Sequence, residues 1–275
     1  KSRPHRTACV ITIHDMIPLK HPEFTPRALK TRLLPIFRML IRAISARADA
    51  IITVSECSRR DVIEILRIPP PRRDHVVSIF NGVDARYRPS ETPFVRQPVI
   101  LYVGRLDPYK NVSLLIRAFS ELLPRHPTLR LRIIGPTDDR YPEPRQLIQS
   151  LGISPCVDWD GYLSDDQLLK AYQTAAMLVL PSRYEGFGLP VVESMACGAP
   201  VVCSNTSSMP EIAGDAALLI PPDDQAALTS ALERLLTEPA LAAELSSRGR
   251  VQAARFTWDQ AAAQTRAVYR LVGLR

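Results

Sequence analysis

The sequence has only five cysteines among 275 residues, and no two of them are spaced as a CxxC pair. Such pairs carry most structural zinc sites and thiol redox motifs, so we expect neither a zinc site nor a disulfide framework. The dinucleotide fingerprint GxGxxG is also missing, which argues against an NAD-dependent enzyme. The sequence therefore predicts no bound metal or cofactor, and few scattered thiols fit a reducing compartment such as the cytosol.

Long hydrophobic runs are missing as well. No window reaches the roughly 18 uncharged apolar residues that a membrane-spanning helix needs. The basic residues 1–6 are not followed by a long apolar run with a small-residue cleavage site, so we expect no secretory signal. We expect a cytoplasmic protein, with peripheral contact at the inner face of the membrane as an open alternative.

The net charge of +7 is concentrated near the start of the chain. Residues 1–95 carry 17 Lys+Arg against 9 Asp+Glu (+8), whereas residues 96–275 carry 18 against 19 (−1), and these values sum to +7. Much of the excess lies in segment 27–48, where basic residues interrupt apolar ones at helical spacing. This pattern is typical of a basic amphipathic helix that is kinked or begun at Pro35.

Two interpretations of segment 27–48 stay open. The helix packs its apolar side on its own sheet and exposes a solvated face, or it contacts an anionic membrane surface. Because no nucleic-acid motif accompanies the charge, we expect no nucleic-acid partner.

Short apolar, β-branched runs alternate with longer amphipathic segments, which predicts an α/β protein with parallel sheets and helices on both faces. The predicted strands are 8–13, 50–54, 75–79, 98–103, 130–134, 176–180, 199–203 and 217–220. The predicted helices are 27–48, 56–67, 112–123, 143–150, 164–174, 190–197 and 224–236, with further helix beyond 236 that breaks near 238–239 and at 257. Gly152, followed by Ile153, predicts a left-handed helix stop.

The proline-rich segment 84–98 marks the best domain boundary. We expect a first lobe at 1–90 and a second lobe at 96–255. A helix at 256–275 is expected to pack back toward the first lobe. Three predicted strands are few for a stable open sheet, so the first lobe is expected to be truncated upstream of Lys1.

The first candidate site follows the strand at 98–103. In open parallel sheets, ligands bind outside the carboxyl ends of the strands. Arg105 and Lys110 place two cations there, and together they could neutralise a diphosphate. Loop arginines are common, so this signal is weak by itself.

The second candidate site is the stretch PSRYEGFGLPVVE after the strand at 176–180. Pro190 suits the first turn of a helix, where free backbone N–H groups form an anion site. We expect the amides near Gly188, Leu189 and Val191 to be unpaired.

Two carboxylates flank this expected anion site. Because carboxylates repel phosphate, Glu185 and Glu193 would instead accept hydrogen bonds from hydroxyl groups. The transferred sugar and the ribose of a sugar nucleotide supply such groups on either side of a diphosphate. The alternative is that Glu193 serves only the helix dipole.

Several short motifs occur in a fixed order along the chain. They are VITIHD (10–15), ITVSECS (52–58), NGVD (81–84), YVGRLDPYKN (102–111), GYLSDDQLLKAY (161–172), EGFGLPVVE (185–193), MACGAPVVCSN (195–205) and PEIAGDAALLIPPDD (210–224). Together they resemble the retaining glycosyltransferases of family 4, in group 1, whose GT-B fold has two doubly wound, Rossmann-like lobes. EGFGLPVVE is similar to the E-x7-E element of that family. The resemblance implies that the lobe at 1–90 is the acceptor-side lobe and that the lobe at 96–255 binds the nucleotide sugar.

The resemblance implies a role for each matching residue of the E-x7-E element. Glu185 would hydrogen-bond hydroxyls of the donor sugar, and Glu193 would hold the ribose. Sugar hydroxyls and phosphate would meet the backbone of Gly186, Phe187, Gly188 and Leu189.

Matching residues elsewhere in the chain receive roles in the same way. Arg105 and Lys110 would neutralise the diphosphate leaving group, and the backbone of Leu163 would contact the base. His14 would reach the donor sugar, although a strand-end histidine bonded to backbone is the alternative. Asp15 is interpreted as a structural or acceptor-side residue.

Asp158-Trp159-Asp160 spells the DxD element of the other major glycosyltransferase fold. Because it stands before the GYL turn, it is interpreted as a strand end and not as a metal site.

The resemblance implies transfer of a hexose, with GDP-mannose weakly favoured, to a glycan or lipid-linked acceptor. Two other interpretations stay open. One is a non-catalytic nucleotide-sugar-binding fragment or half of a split enzyme, and the other is a sugar-nucleotide epimerase.

Overall fold

The computed structural model describes residues 7–24, 33–91 and 95–273. The chain divides into two compact units, Lys1–Gly82 with Thr257–Arg275, and Val83–Phe256. Each unit has its own parallel sheet.

The first unit is built on the strands β1 (Val10–Ile13), β2 (Ala50–Thr53) and β3 (Val76–Ser78), in that spatial order. All pair in parallel, with Val10 opposite Ala50 and Ile51 opposite Val76. β2 is buried along its whole length, as expected for the central strand of a sheet covered on both faces. These three strands confirm the three that the sequence predicts for this region.

Four helices accompany this sheet in the described residues: α1 (Ile17–Lys20), α2 (Leu34–Arg47), α3 (Glu56–Ile65) and α11 (Trp258–Gly273). α3 begins after Ser55, whose hydroxyl accepts a hydrogen bond from Ser58 N at 3.0 Å and satisfies one free amide of the first turn. On α11, Val268 and Val272 pack in one apolar cluster with residues of β2.

The predicted helix 27–48 corresponds to α2, which carries Pro35 in its first turn. A proline there costs no hydrogen bond, so the helix begins at this point and is not kinked by it. The part of the prediction at 27–32 lies outside the described residues.

The second unit holds β4 (Gln97–Val103), β5 (Arg130–Ile134), β6 (Val157–Asp160), β7 (Ala175–Leu180), β8 (Val201–Ser204) and β9 (Leu218–Ile220). Their spatial order is β6-β5-β4-β7-β8-β9, and every pair is parallel. This is a doubly wound order. The chain first adds strands on one side of β4 and then, from β7 onward, on the other side.

Seven helices cover that sheet in the described residues: α4 (Val112–Leu122), α5 (Glu143–Ser150), α6 (Asp165–Thr174), α7 (Leu189–Ala196), α8 (Met209–Ala213), α9 (Gln225–Thr237) and α10 (Pro239–Ala253). The predicted helix stop after α5 is confirmed. Gly152 has a φ of +68°, and Ile153 N donates to Ile148 O at 3.2 Å.

Strand β6 is absent from the predicted set. Its sequence, Val-Asp-Trp-Asp, alternates polar and apolar residues and contains no apolar run. Asp158 and Asp160 pair with Arg130 and Arg132 on β5, at 2.7 Å and 2.6 Å. A cross-strand ladder of ion pairs stabilises this edge strand. The interpretation of Asp158-Trp159-Asp160 as a strand end is confirmed.

No helix within the described ranges is long and apolar enough to cross a membrane. The same ranges contain no cluster of three or more His, Cys, Asp or Glu side chains that could hold a metal ion.

Candidate functional site

The loops after β4 and β7 meet at the point where the strand order of the second unit reverses. β4 and β7 pair directly, with Ile100 opposite Met177. The loops are joined by a backbone hydrogen bond from Arg183 N to Tyr109 O at 2.7 Å. Doubly wound sheets bind ligands in the crevice at such a reversal, because the neighbouring loops separate there.

A buried ion pair lies between these two loops. Lys110 Nζ contacts Oε1 and Oε2 of Glu185 at 2.7 Å and 2.9 Å, and Glu185 is 7% exposed. Burying two charges is costly unless further hydrogen bonds satisfy them. Ser182 Oγ supplies one, donating to Glu185 Oε1 at 2.7 Å. The structure thus brings together two residues that the sequence analysis placed on separate motifs.

Arg105 lies at the mouth of the same loop pair. Its side chain is 60% exposed, and its Nε contacts Asp107 Oδ2 at 3.0 Å. Asp107 is buried, and Tyr102 OH donates to Arg105 O at 2.6 Å. The guanidinium is therefore held by a buried carboxylate and presents its remaining N–H groups outward.

Leu163 and Arg105 line one cleft of 220 Å³ at the carboxyl ends of β4, β5 and β6. The other lining residues are Val103, Gly104, Ile134, Gly135, Pro136, Gly161, Tyr162 and Leu168. The loop after β5 requires a glycine, since a Cβ on Gly135 would lie 2.0 Å from the carbonyl oxygen of Gly104. The cleft is mostly apolar, and among the described residues that line it Arg105 has the one ionised side chain.

Helix α7 starts beside Glu185 with Gly188 at its N-cap, at a φ of +100°. At that φ any residue with a side chain is strained, which favours glycine, and an added Cβ would also lie 2.4 Å from the side-chain tip of Met209. The N–H groups of Gly188 and Leu189 donate no hydrogen bond within the described part of the chain. The expectation of a free amide at Val191 is wrong, because Val191 N donates to Gly188 O at 2.9 Å and tightens the first turn.

The other two residues of the predicted backbone contact, Gly186 and Phe187, lie in the loop between Glu185 and the start of α7. The ring of Phe187 is buried edge-on against Phe256, with ring centroids 5.7 Å apart. Its side chain therefore anchors the loop to the second unit's core.

Glu193 lies in the second turn of α7 and has a different partner from Glu185. Tyr172 OH, on α6, donates to Glu193 Oε2 at 2.7 Å. Burial raises the pKa of Glu193, and the hydrogen bond from Tyr172 offsets part of that rise. Glu193 is thus fixed in position by a neighbouring helix.

The serine–threonine loop, residues 204–208 beginning at the last residue of β8, fixes the backbone around Glu185. Ser207 Oγ accepts a hydrogen bond from Glu185 N at 2.9 Å. The Ser208 hydroxyl donates to the carbonyl oxygens of Glu185 and Phe187, which share its proton at Oγ–O distances of 3.0 Å and 3.1 Å. A backbone held by side chains on both sides of Glu185 has little freedom to turn.

Sequence reasoning missed the serine–threonine loop, Ser182, Asp107 and Tyr172. Two of these could have been found from the sequence, because they lie close to predicted site residues. Ser182 is three residues from Glu185, and Asp107 is two residues from Arg105. Tyr172 and the serine–threonine loop reach the site only through the packing of separate helices and strands.

His14 follows β1 in the first unit and is exposed. Its carbonyl accepts a hydrogen bond from Ser58 Oγ at 3.0 Å. Asp15 Oδ1 accepts from Ile17 N at 3.0 Å, which ties it to the start of α1. The role of His14 toward a donor sugar stays a prediction.

Two protein families match this chain, and the two matches meet close to the boundary between its units. Residues 83–252 match the family described as glycosyl transferases group 1, and residues 1–87 match glycosyltransferase family 4.

The curated relatives are longer than this chain. The O-antigen chain mannosyltransferase B of Escherichia coli is 33% identical over 98% of the chain and 72% of the relative. The serotype-specific mannosyltransferase WbdA of Escherichia coli is 32% identical over 94% of the chain, which spans only 32% of that protein.

Among solved structures, the sucrose-phosphate synthase of Thermosynechococcus elongatus has a TM-score of 0.79 and 27% identity. The match covers 95% of this chain and 67% of that one. From the family matches, the parallel sheets and this likeness, the chain belongs to the group 1 glycosyltransferases and has their GT-B fold.

Proposed function

We propose that the protein is a retaining glycosyltransferase that moves a hexose from a nucleoside-diphosphate sugar to a hydroxyl of a glycan or lipid-linked acceptor. The observation that carries this proposal is the buried Lys110–Glu185 pair, with Arg105 on the same loop as Lys110, at the strand reversal of a doubly wound sheet. Mannose, supplied as GDP-mannose, is the hexose that we propose first, because the two curated relatives described above are mannosyltransferases.

In this proposal the donor diphosphate lies between Arg105, Lys110 and the start of α7. The two cations offset the charge that grows on the departing nucleoside diphosphate, and such charge stabilisation is a large term in catalysis. The free amides of Gly188 and Leu189 contribute a positive helix end at the same place.

The two glutamates then bind the two hydroxyl-rich groups of the donor. Glu185 accepts hydrogen bonds from the sugar, and Glu193 accepts them from the ribose. The base occupies the cleft that Leu163 lines, where the flat faces of its ring meet apolar side chains.

In the proposed reaction the configuration is retained because the acceptor attacks on the same face that the leaving group departs from. The bond between the anomeric carbon and the diphosphate oxygen breaks, and a bond to the acceptor oxygen forms on the same face. A donor phosphate oxygen takes the acceptor proton. We assign His14 to the donor sugar on the strength of the family resemblance alone.

Donor turnover tests the proposed function and separates it from its alternatives. The purified protein is incubated with GDP-mannose, UDP-glucose and ADP-glucose, each with and without oligosaccharide acceptors, and the sugar products and nucleoside diphosphate are measured. A transferase releases the nucleoside diphosphate as it forms a longer glycan. An epimerase instead gives an isomeric donor without acceptor, and a binding module gives no product. Either of the last two results would contradict the proposal.

Glu193→Gln should weaken GDP binding by about tenfold, since a hydrogen bond to a charged group contributes about 1.5–3 kcal/mol. The raised pKa of Glu193 adds a pH dependence, because only the ionised carboxylate accepts both ribose hydroxyls. Binding should therefore weaken as the pH falls toward that pKa, and the variant should lack this dependence. Calorimetric titration of GDP at several pH values measures both effects.

Glu244→Gln is the matched control for this prediction. Glu244 lies on α10 of the same unit, half-exposed, in an ion pair with Arg248. Its replacement should leave GDP affinity unchanged. If Glu193→Gln also left the GDP affinity unchanged, Glu193 would not be the residue that binds the ribose.

We also propose that α2 contacts an anionic membrane surface, the alternative that segment 27–48 leaves open. Large apolar side chains on this helix are exposed, among them Ile36, Met39 and Leu40. Arg38 on the same helix supplies the positive charge that anionic lipid headgroups attract.

The protein should therefore sediment with phosphatidylglycerol vesicles and not with phosphatidylcholine vesicles. Met39→Ser with Leu40→Ser should lower the bound fraction several-fold or more, because each apolar side chain contributes about 1.5–3 kcal/mol when fully buried. Val251→Ser, at an exposed apolar position on α10, is the control. Equal sedimentation of the double variant and the unaltered protein would contradict this contact.

A further inference from the structure

The two carboxylate oxygens of Glu185 have unequal surroundings. Oε1 accepts hydrogen bonds from Ser182 Oγ and from Lys110 Nζ, both at 2.7 Å. Oε2 accepts only from Lys110 Nζ, at 2.9 Å, among the described residues. Since each carboxylate oxygen has two good acceptor directions, Oε1 is filled and Oε2 keeps one direction open.

We infer that Ser182 is a positioning residue that turns Glu185 so that Oε2, and not Oε1, accepts the hydroxyl of the donor sugar. The inference rests on the proposed function, because it assumes that Glu185 meets a sugar. Beyond that function, the inference names the carboxylate oxygen that contacts the sugar and the residue that orients this oxygen.

The surroundings of Ser182 suit a fixed role of this kind. Its side chain is fully buried, so its hydroxyl has no water partner to exchange for Glu185. Its backbone carbonyl accepts a hydrogen bond from Ser204 Oγ at 2.5 Å. The hydroxyl therefore approaches Glu185 from a fixed point, and the position of Oε2 follows from it.

Lys110 and Ser182 then have separable effects. Lys110 contacts both oxygens and does not distinguish them, so it supplies charge without selecting an orientation. Ser182 contacts one oxygen only. Loss of Ser182 should free the carboxylate to rotate, which weakens the sugar contact and leaves the diphosphate contacts of Lys110 intact.

A double-mutant cycle with Glu185 tests the inference. The variants are Ser182→Ala, Glu185→Gln and the two combined, with the donor that the unaltered protein turns over in the screen above, GDP-mannose first. Ser182→Ala should lower kcat about tenfold, as expected for one hydrogen bond to a charged group, with an unchanged Kd for GDP. In the Glu185→Gln background, Ser182→Ala should have no further effect, because the oxygen that it orients is already lost.

Two further variants separate positioning from a general structural role. Ser194→Ala removes an equally buried serine hydroxyl, whose partner is Ala199 O at 3.5 Å, and should leave kcat and Kd unchanged. Ser182→Cys keeps a weaker donor in place, and its kcat should lie between those of Ser182→Ala and the unaltered protein. Thermal unfolding of every variant verifies that it is folded.

Each other outcome overturns the inference. Positioning through Glu185 is excluded if Ser182→Ala has the same kcat as the unaltered protein. It is also excluded if Ser182→Ala lowers kcat by the same factor in the Glu185→Gln background as in the unaltered protein. A loss of GDP affinity as large as the loss of kcat/KM, or an unfolded Ser182→Ala, indicates a structural role. Absence of turnover by the unaltered protein would instead reject the proposed function and this inference with it.

Discussion

Replacement of Glu185 by glutamine should lower donor turnover by roughly 100-fold, the upper end of what hydrogen bonds to a charged group contribute. The carboxylate accepts from Ser182 and Lys110, and in the proposed complex also from the sugar. Glutamine replaces one acceptor oxygen by an NH₂ donor. That donor either faces the ammonium of Lys110 or is presented to the sugar hydroxyl, and both arrangements lose an acceptor.

The same substitution should leave GDP affinity unchanged or raise it. Lys110 loses the carboxylate that competes with phosphate for its ammonium, so it becomes more available to the diphosphate. Steady-state turnover and calorimetric titration of GDP, measured side by side, separate the two effects. Glu244→Gln is again the control, and turnover equal to that of the unaltered protein would show that Glu185 does not contact the sugar.

Replacement of Arg105 by alanine should weaken GDP binding by about tenfold, the lower end of the range for a charged hydrogen bond. The lower end applies because the guanidinium is 60% exposed and solvent screens its charge. Arg105→Lys should give an intermediate loss, since lysine keeps the charge but not the two-pronged contact with phosphate oxygens.

The control for Arg105 is Arg248→Ala, which removes a half-exposed arginine of the same unit that pairs with Glu244. Calorimetry with GDP and with guanosine separates a phosphate contact from a base contact. A loss that is equal for guanosine and GDP would mean that Arg105 contacts the base and not the diphosphate.

The fold was largely predictable from the sequence because its strands are apolar runs separated by turn residues. The exception, β6, is held by cross-strand ion pairs from Asp158 and Asp160 to β5. A search for apolar runs does not detect a strand of that kind. The helix stop at Gly152 and the start of α2 at Leu34, one residue before Pro35, follow from local backbone chemistry, which a single sequence does show.

The site was predictable in its members but not in its contacts. Strand-end positions and the family resemblance identify Arg105, Lys110 and Glu185. The direct contact of Lys110 with Glu185 depends on β4 lying next to β7, and 75 residues separate the two side chains along the chain. The free amide expected at Val191 fails for a local reason, since helical first turns often close with a short-range bond.

Calorimetric titration of the purified protein with GDP, UDP and ADP tests the central claim most directly, because it requires neither the acceptor nor the sugar to be known. The account predicts micromolar binding of one of the three, weakened in Arg105→Ala and retained in Glu185→Gln. Binding of none of them, by a protein shown to be folded, would contradict the placement of a nucleoside diphosphate between the β4 and β7 loops.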